Sequence, residues 1–583
     1  MGDLLRIDLT SRTVTEETIP PELIREYVGG KGIGTRYLLD EVGPEVEPLS
    51  AGNKLIFVTG PITGTSMYGG NRYGVHYLSP LTNGYGECTS GGNVAPQFAK
   101  TGYKVVIVEG AADAPVYIEV SEDGGAIHPA GDVWGLDTYK AEEALVARHR
   151  ETAPKAQACV IGPAGEKLVR FACAENNRWH SLGRGGVGAV MGSKKLKGLV
   201  FHGTRAVETA RPDEFKALVK DMGARGKEDA GVAAYRRGGT VNMVRLLNGA
   251  NALPTRYWRS GNIPGFEGVT TEAMIEKYLV KNEACPPCLL QCVKHNRVAD
   301  GPLEGLEIDG PEYETIYVFG GLCLIVDFAQ IMRLNDICDR LGVDTMTGGN
   351  LCALAIEASH RGLIDLDLDF GDADGVAEFL EAMCLRSTEL ADTFAEGVLH
   401  VERTFPELKG VAVHVKGMEP AGYDPRSLKG MGLAFITAAR GACHLRSTFY
   451  KAELAGFSDP QEIDGKAEVF VDWEDRLCIM DTLIYCRFYR DLVQWPYITA
   501  VVNAAIGTDY TEADMHVIAN RIISETHRFN ERRGFRAATH ERLPAWITEQ
   551  PQDDERGLRT TAAEMDQLLT DYYAVRGWGA PAL

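Results

Sequence analysis

The run Cys285-Pro286-Pro287-Cys288-Leu289-Leu290-Gln291-Cys292 puts three thiols into eight consecutive residues, and no local element can employ all three alone. A tetrahedral metal site or a cubane iron–sulfur cluster takes four ligands, so the chain has to fold back to supply the missing one. Two donors qualify: His295, just past Cys292, and a distant cysteine. The first makes a zinc site and the second an electron carrier. Thirteen cysteines without paired spacing fit a reducing compartment, where thiols stay free or bind metal.

The remaining bounds are set by size and charge. With 583 residues, 45% apolar and 24% charged, the chain has material for roughly three or four domains with large cores. A net charge of −21 without a long Lys/Arg run argues against nucleic acid, whose phosphates it would repel. The start, MGDLLRIDLTSRTVT, reads as an alternating strand rather than a signal peptide. The longest apolar run, Ile316 to Val326, is eleven residues and holds two glycines, too short for a bilayer. The expectation is a cytoplasmic protein with no membrane association.

Residues 1–205 carry short apolar strands closed by Gly or Gly-Pro turns: KLIFVTGP (54–61), YKVVIVEG (103–110), CVIGPAGE (159–166) and KGLVFHG (197–203). After Arg211-Pro212 the apolar period becomes helical, as in Phe328, Ile331, Leu334, Cys338 and Leu341, and in Leu390, Phe394 and Val398. A strand and turn are expected over 409–422. The fold class is therefore α+β: a sheet-rich cofactor-binding domain (1–205) followed by two mainly α-helical domains (206–415 and 416–583).

Two further signals concern ligands. Gly183-Arg184-Gly185-Gly186-Val187-Gly188 spells a dinucleotide loop, but the strand expected at LVRFACAE ends some eight residues earlier, which speaks against a Rossmann turn. Its exposed N–H groups still suit an anionic group, with a tight packing turn as the alternative. The helix through Leu341 is expected to stop at Gly342, leaving Asp339 in its last turn and Asp344 just beyond. Carboxylates there oppose the helix dipole unless a donor-rich ligand such as a pterin binds them, or they are simply solvated. Asp481 leads by five residues into Cys486, a related spacing that brings a candidate fourth thiol beside the same kind of ligand.

At this point the chain resembles the tungsten-containing aldehyde ferredoxin oxidoreductases over essentially its whole length. The matching segments include GGKGIG (29–34), GPITGT (60–65), NRYGVHYLSPLTNG (71–84), IGPAGEKLVRFA (161–172), GRGGVGAVMGSKKLK (183–197), the cysteine run, GPEYET (310–315), DRLGVDT (339–345), RGACHLRS (440–447) and NERRGFR (530–536). The resemblance implies one [4Fe–4S] cluster on Cys285, Cys288, Cys292 and Cys486. It implies two molybdopterin-type cofactors that hold tungsten, or molybdenum, through their own sulfurs. Asp339, Asp344, Asp481 and Tyr485 would lie at the pterins, with Arg72, Thr89, Gly183, Arg184, Gly185, Gly186 and Arg446 at phosphates or pterin edges. A glutamate, Glu312 or Glu314, and His444 would move protons beside the metal.

Three positions depart from the pattern. Thr89 stands where the family has an asparagine that contacts a Mg2+ bridging the pterin phosphates, Ile484 replaces a glycine, and Arg446 replaces a lysine, which a planar fork does not simply reproduce. The implied reaction is oxidation of a small aldehyde to its carboxylic acid, with electrons passing to ferredoxin or a similar acceptor. The alternative is a catalytic or electron-transfer subunit of a larger tungsten/molybdenum complex acting on another substrate; a homodimer or additional electron-transfer subunits fit either. Lys294, His295, Arg297, Arg487 and Arg490 flank the cysteines, so an acidic partner is expected to dock on them.

Overall fold

Leu55-Ile56-Phe57-Val58 shows how the N-terminal half is layered. Successive side chains on a strand point to opposite faces, and here Leu55 and Phe57 enter one core while Ile56 and Val58 enter another. Such a strand is apolar throughout because both of its faces are covered.

The computed structural model describes residues 3–583. A first sheet is built from β1 (Leu4–Asp8), β2 (Thr13–Glu17), β3 (Leu55–Thr59), β4 (Tyr73–Leu78), β5 (Tyr85–Ser90) and β6 (Val105–Glu109) in the order β2-β1-β6-β3-β4-β5. A second is built from β7 (Val116–Ser121), β8 (Gly124–Pro129), β9 (Gln157–Ile161), β10 (Ala174–Asn176), β11 (His180–Leu182) and β12 (Leu196–Phe201) in the order β11-β10-β9-β12-β7-β8. Their inner faces share one core, with Leu5, Phe57, Val75 and Val106 from the first meeting Ile118, Cys159, Leu199 and Phe201 from the second. The strands expected at the start of the chain and within 54–61, 103–110, 159–166 and 197–203 are present, whereas the one expected at LVRFACAE is reduced to β10, which begins only at Ala174. The α+β expectation holds.

The outer face of the first sheet is closed by helices from both ends of the chain. Ile56, Val58 and Ile107 pack in one core with Ile33 and Leu38 of the Gly30–Glu41 helix, Leu477 and Met480 of the Lys466–Thr482 helix, and Ile518 and Ile522 of the Glu512–Arg532 helix. Two early motifs carry glycine because of this contact. A Cβ on Gly60 would fall onto the Leu483 carbonyl, and Gly30, at φ +36°, leaves no room for one against the carbonyls of Asp481 and Thr482. Asn530 in the tail motif accepts from the Tyr85 amide (2.8 Å) and donates to the Ala439 carbonyl (2.6 Å), which ties three distant motifs together.

The middle of the chain is helical, with a small sheet of β13 (Leu279–Glu283), β14 (Val293–Arg297) and β15 (Glu307–Asp309). The helix Phe328–Leu341 has the expected bounds: the Asp327 carboxylate caps its first amides and Gly342 ends it at φ +76°. Elsewhere the local reading needs correction. The Leu390-Phe394-Val398 run is two helices, Glu389–Ala395 and Val398–Thr404, because Gly397 at φ +85° breaks it. Over 409–422 the structure has turns and a single bridge, Val415 to Met418, instead of a strand. The run from Ile316 forms a buried π-helix to Leu322. Among the described residues no helix is long and apolar enough to cross a membrane.

Candidate active site

The hairpin register of β13 and β14, Glu283 opposite Val293, makes the cysteine run its closing loop. Lys294 clamps that loop from beneath, its ammonium donating to the carbonyl of Gln291 (2.7 Å) and of Arg236 (2.9 Å) and to Asn282 Oδ1 (3.0 Å). Cys486 arrives from the end of the Lys466–Thr482 helix. Gly69 joins the two segments, donating its N–H to the Pro287 carbonyl and accepting at its own carbonyl from the Cys486 amide (3.1 and 2.8 Å). The Cys292 thiol is pushed well above its ordinary range, by burial first and then by Glu312, Cys486, Cys288 and Cys285, so all four sulfurs share one neighbourhood. These four are the half-buried cysteines of the chain; the other nine are buried. The Gly92 amide donates to Cys285 Sγ (3.3 Å), the Leu290 amide to Cys288 Sγ (3.4 Å), and His180 Nε2 lies 3.6 Å from Cys285 Sγ. His295 does not join them, because its Nδ1 pairs with Asp309 at 2.9 Å. Most of the expected basic docking patch is interior: Lys294, Arg487 and Arg490 are only 2%, 9% and 0% exposed, and Arg297 alone of the arginines and lysines named stands out in solvent.

Beside the thiols opens a cavity of about 1450 Å3 free of protein atoms, counting its mouth. Its wall includes Thr89, Gly183, Arg184, Glu312, Glu314, Asp339, Asp344, His444 and Arg446 from the sequence-expected set, together with Arg440, Arg490, Tyr423 and Tyr450. The glycine loop enters it directly from β11, which ends at Leu182, so the expected gap between strand and loop is not there. Gly185 and Gly186 take φ +98° and +88°, and Gly186 packs onto the Arg170 carbonyl rather than facing the cavity. The turn aims Arg184 inward, and its Nε donates to Asp344 Oδ2 at 2.9 Å.

The two aspartates at the helix end have different tasks. The C-terminus of the Phe328–Leu341 helix opposes Asp339, whereas Asp344 caps the N-terminus of the next helix, Thr345–His360, through the amides of Met346 and Thr347 and is favoured by that helix's dipole. Asp339 is buried and receives one hydrogen bond, from Asn335 Nδ2 (2.7 Å). Burial, then Glu175 and Asp336, holds its carboxyl well above the usual range. Asp481 is engaged at both oxygens, by Arg446 Nη1 and Arg487 Nη2 at 2.7 Å each. Arg446 Nη1 also reaches Glu87 (2.6 Å), whose carboxyl Arg446 and Lys31 hold well below its ordinary range despite burial. Arg72 lies at the thiols and donates to the Thr89 carbonyl (3.1 Å) and hydroxyl (3.4 Å). Tyr485 is outside the cavity wall, packed on Tyr489 and close to Gly69.

Of the two candidate glutamates, Glu314 faces His444, with Oε1 3.4 Å from the histidine Nε2 and Oε2 accepting from the Gly422 amide at 2.9 Å. Burial pushes the Glu314 carboxyl up to about 7. Burial, then Arg440 and Arg184, holds His444 well below its ordinary range, so the imidazole is neutral. Glu312 instead accepts from the Thr240 hydroxyl and lies toward Cys292 and Lys294.

The cavity is short of anions. Arg184 Nη1, Arg440 Nε, Arg446 Nε and Arg490 Nε and Nη2 are all buried without a hydrogen-bond partner, as are Glu314 Oε1 and His444 Nδ1. Orphaned guanidinium N–H groups on one cavity fit phosphates. Arg440 and the inward role of Arg490 were missed in the sequence reading; Arg440 opens the RGACHLRS motif, so its spacing from Arg446 was an available signal.

Residues 4–203 match the family model of the N-terminal domain of aldehyde ferredoxin oxidoreductase, and residues 217–582 match that of its domains 2 and 3. The chain belongs to the aldehyde ferredoxin oxidoreductase family. It is accordingly an oxidoreductase. The tungsten-containing aldehyde ferredoxin oxidoreductases of Pyrococcus furiosus and Pyrococcus abyssi are 33% and 34% identical, each over 99% of this chain and 96% of theirs. The WOR-like subunit of an aliphatic sulfonate oxidoreductase from Pyrococcus furiosus is 30% identical over 73% of this chain and 71% of its own. The active-site complex BamBC of benzoyl-coenzyme A reductase shares the family fold, with a TM-score of 0.83 at 21% identity over 99% of this chain and 94% of that one.

Proposed function

We propose that this oxidoreductase converts an aldehyde and water into the carboxylic acid, two protons and two electrons. The reaction would run at a tungsten bis-molybdopterin centre in the cavity, with electrons leaving singly through a [4Fe–4S] cluster on Cys285, Cys288, Cys292 and Cys486 to a ferredoxin-type acceptor. The observation that carries the reading is the meeting of these four half-buried thiols beside a cavity of partnerless arginine N–H groups. When bound, the tungsten centre supplies two-electron oxidation and the cluster the one-electron exit.

The chain's own residues divide the remaining work. Arg184, Arg440, Arg446 and Arg490 would hold the pterin phosphates by charge-assisted hydrogen bonds, with Asp344 fixing Arg184. Asp339, with its carboxyl pushed upward by burial, suits donation of a hydrogen bond to a pterin edge. Glu314 Oε1, close to half ionised near neutrality, would take a proton from the reacting water, and neutral His444, with Nε2 3.4 Å away, would hold that carboxylate in place and relay the proton. Glu312 also reaches the cavity wall, but it is held by the Thr240 hydroxyl and lies toward Cys292 and Lys294 rather than His444. A magnesium bridge finds no support at Thr89, whose hydroxyl and carbonyl both take Arg72 Nη2.

The test is anaerobic purification with metal analysis and aldehyde-dependent viologen reduction. Tungsten and iron together with aldehyde-dependent turnover are expected, and Cys486→Ser should lose cluster iron while keeping tungsten. Unchanged iron in Cys486→Ser, or no aldehyde turnover in tungsten-replete enzyme, overturns the reading. A second reading, a subunit of a larger complex with another substrate, is favoured by the likeness to the sulfonate oxidoreductase subunit. Co-purifying chains and turnover on sulfonates but not aldehydes would support it.

A further inference from the structure

At the far edge of the second sheet, three imidazoles gather around one carboxylate. Glu119 stands on β7, His202 directly follows β12, and His149 lies in the turn after the Thr138–Ala147 helix. Glu119 Oε1 is 2.8 Å from His202 Nε2 and 3.4 Å from His149 Nδ1, and the His149 and His202 rings are 5.8 Å apart. One donor atom from each of the three lies within 4.8 Å of the others. From β8, His128 places Nε2 2.8 Å from the second carboxylate oxygen, Glu119 Oε2.

We propose that Glu119, His149 and His202 form a zinc site that is separate from the redox centre. Two imidazoles and a carboxylate are the borderline donor set that Zn2+ favours, and three protein ligands leave the fourth tetrahedral position for water. His128 is a positioning residue: by engaging Oε2 it turns Oε1 toward the two ligating imidazoles, as outer-shell partners of zinc ligands do. Hydrogen bonding alone explains the cluster less well. A carboxylate can neutralise one imidazolium, yet three histidines converge on Glu119, and one imidazole nitrogen each from His202 and His149 is directed at the same oxygen. A cation at that point relieves the convergence.

Position speaks for a role apart from catalysis. None of the four residues lines the redox cavity. They sit at the β7-β8 end of the sheet, whereas the glycine loop leaves from β11 at the opposite end. A zinc ion here would tie β7, β12 and the turn after the Thr138–Ala147 helix together on the outer face of the sheet, where the apolar support is one small core that includes Tyr117, Leu145, Ala158, Val160 and Val200. The ion's contribution would be local stability, because binding to the folded form alone raises stability by mass action.

The experiment uses the holoenzyme, purified anaerobically, equilibrated with Zn2+ and washed with metal-free buffer. Metal analysis of the wild type and of a His149→Ala/His202→Ala variant is read beside tungsten and iron, and zinc-edge X-ray absorption reports the ligands. The expected result is one zinc per chain with nitrogen and oxygen ligands only, lost in the variant while tungsten and iron stay unchanged. Zinc should also raise Tm of the wild type but not of the variant. Should the double variant fail to fold, Glu119→Gln, which keeps shape and removes charge, replaces it, and zinc occupancy is expected to fall. Zinc that washes out of the wild type, that persists in the variants, or that shows sulfur ligands overturns the proposal, the last assigning the ion to the cysteine loop.

Discussion

Glu314 and Glu312 stand two residues apart, and the change from extended backbone to helix between them decides which one meets His444. Glu312 is the residue before the helical turn at φ −74° and ψ +161°, whereas Glu314 lies within it, so their side chains leave in different directions. The spacing in GPEYET could not reveal this, because it depends on where the turn begins. With its carboxyl pushed up to about 7, Glu314 acts as a base only when ionised, so kcat/KM should rise as pH increases through about 7. Glu314→Gln should abolish that rise and lower kcat by about 10²–10⁴-fold, whereas Glu312→Gln should leave the pH profile in place. Ile484 presents a different balance. It holds φ +50°, a strained backbone for a β-branched side chain worth about 1–3 kcal/mol, at a position where the resemblance read from the sequence implies glycine. Yet it is buried, and deleting a buried Ile side chain costs about 2–5 kcal/mol even when a methyl remains. Packing wins, so Ile484→Gly should lower Tm although it removes the strain; a raised Tm would mean that strain dominates.

At the scale of elements, legibility followed local determinants. The end of the helix Phe328–Leu341 was readable because Gly342 punctuates it, its Asp327 cap was an available signal that went unread, and the apolar strands were readable because both faces are covered. The three-residue β11 carries too little alternation to show, and the turns over 409–422 are held by tertiary contacts such as that of Tyr313 with the Gly422 carbonyl. The cysteine hairpin shows the limit most clearly. Lys294 and Arg490 look like surface cations in a charged sequence but are interior props, one under the loop and one on the cavity wall. Lys294→Glu or Arg490→Glu should therefore lower iron content and slow turnover with ferredoxin and viologen alike, since a broken buried charge arrangement costs about 3–5 kcal/mol. Besides Arg297, 56% exposed, the exposed basic groups on that side include Arg237 and Arg245, 60% and 58% exposed and both paired with Glu272; Arg237 adjoins Arg236, which donates to the Leu289 carbonyl. The double reversal Arg237→Glu/Arg245→Glu should raise KM for an acidic ferredoxin and spare viologen reduction; equal loss with both acceptors would exclude docking there.

Across the whole molecule, the sequence disclosed the elements but not their partners. β1 pairs with β6, about a hundred residues later, and late helices seal the first sheet, contacts that periodicity cannot encode. Glycines at 30 and 60 are the trace those contacts leave in the sequence, intelligible only once the 481–483 backbone is seen against them. The Gly69 bridge has a bearing on how the protein matures. Its N–H holds the middle of the chain and its carbonyl holds Cys486, so the four thiols come together only when an early segment, a central hairpin and a late helix end have all been made. If the four thiols hold a cluster as proposed, a product cut short before Cys486 would lack both the fourth sulfur and the segment that Gly69 ties to the hairpin.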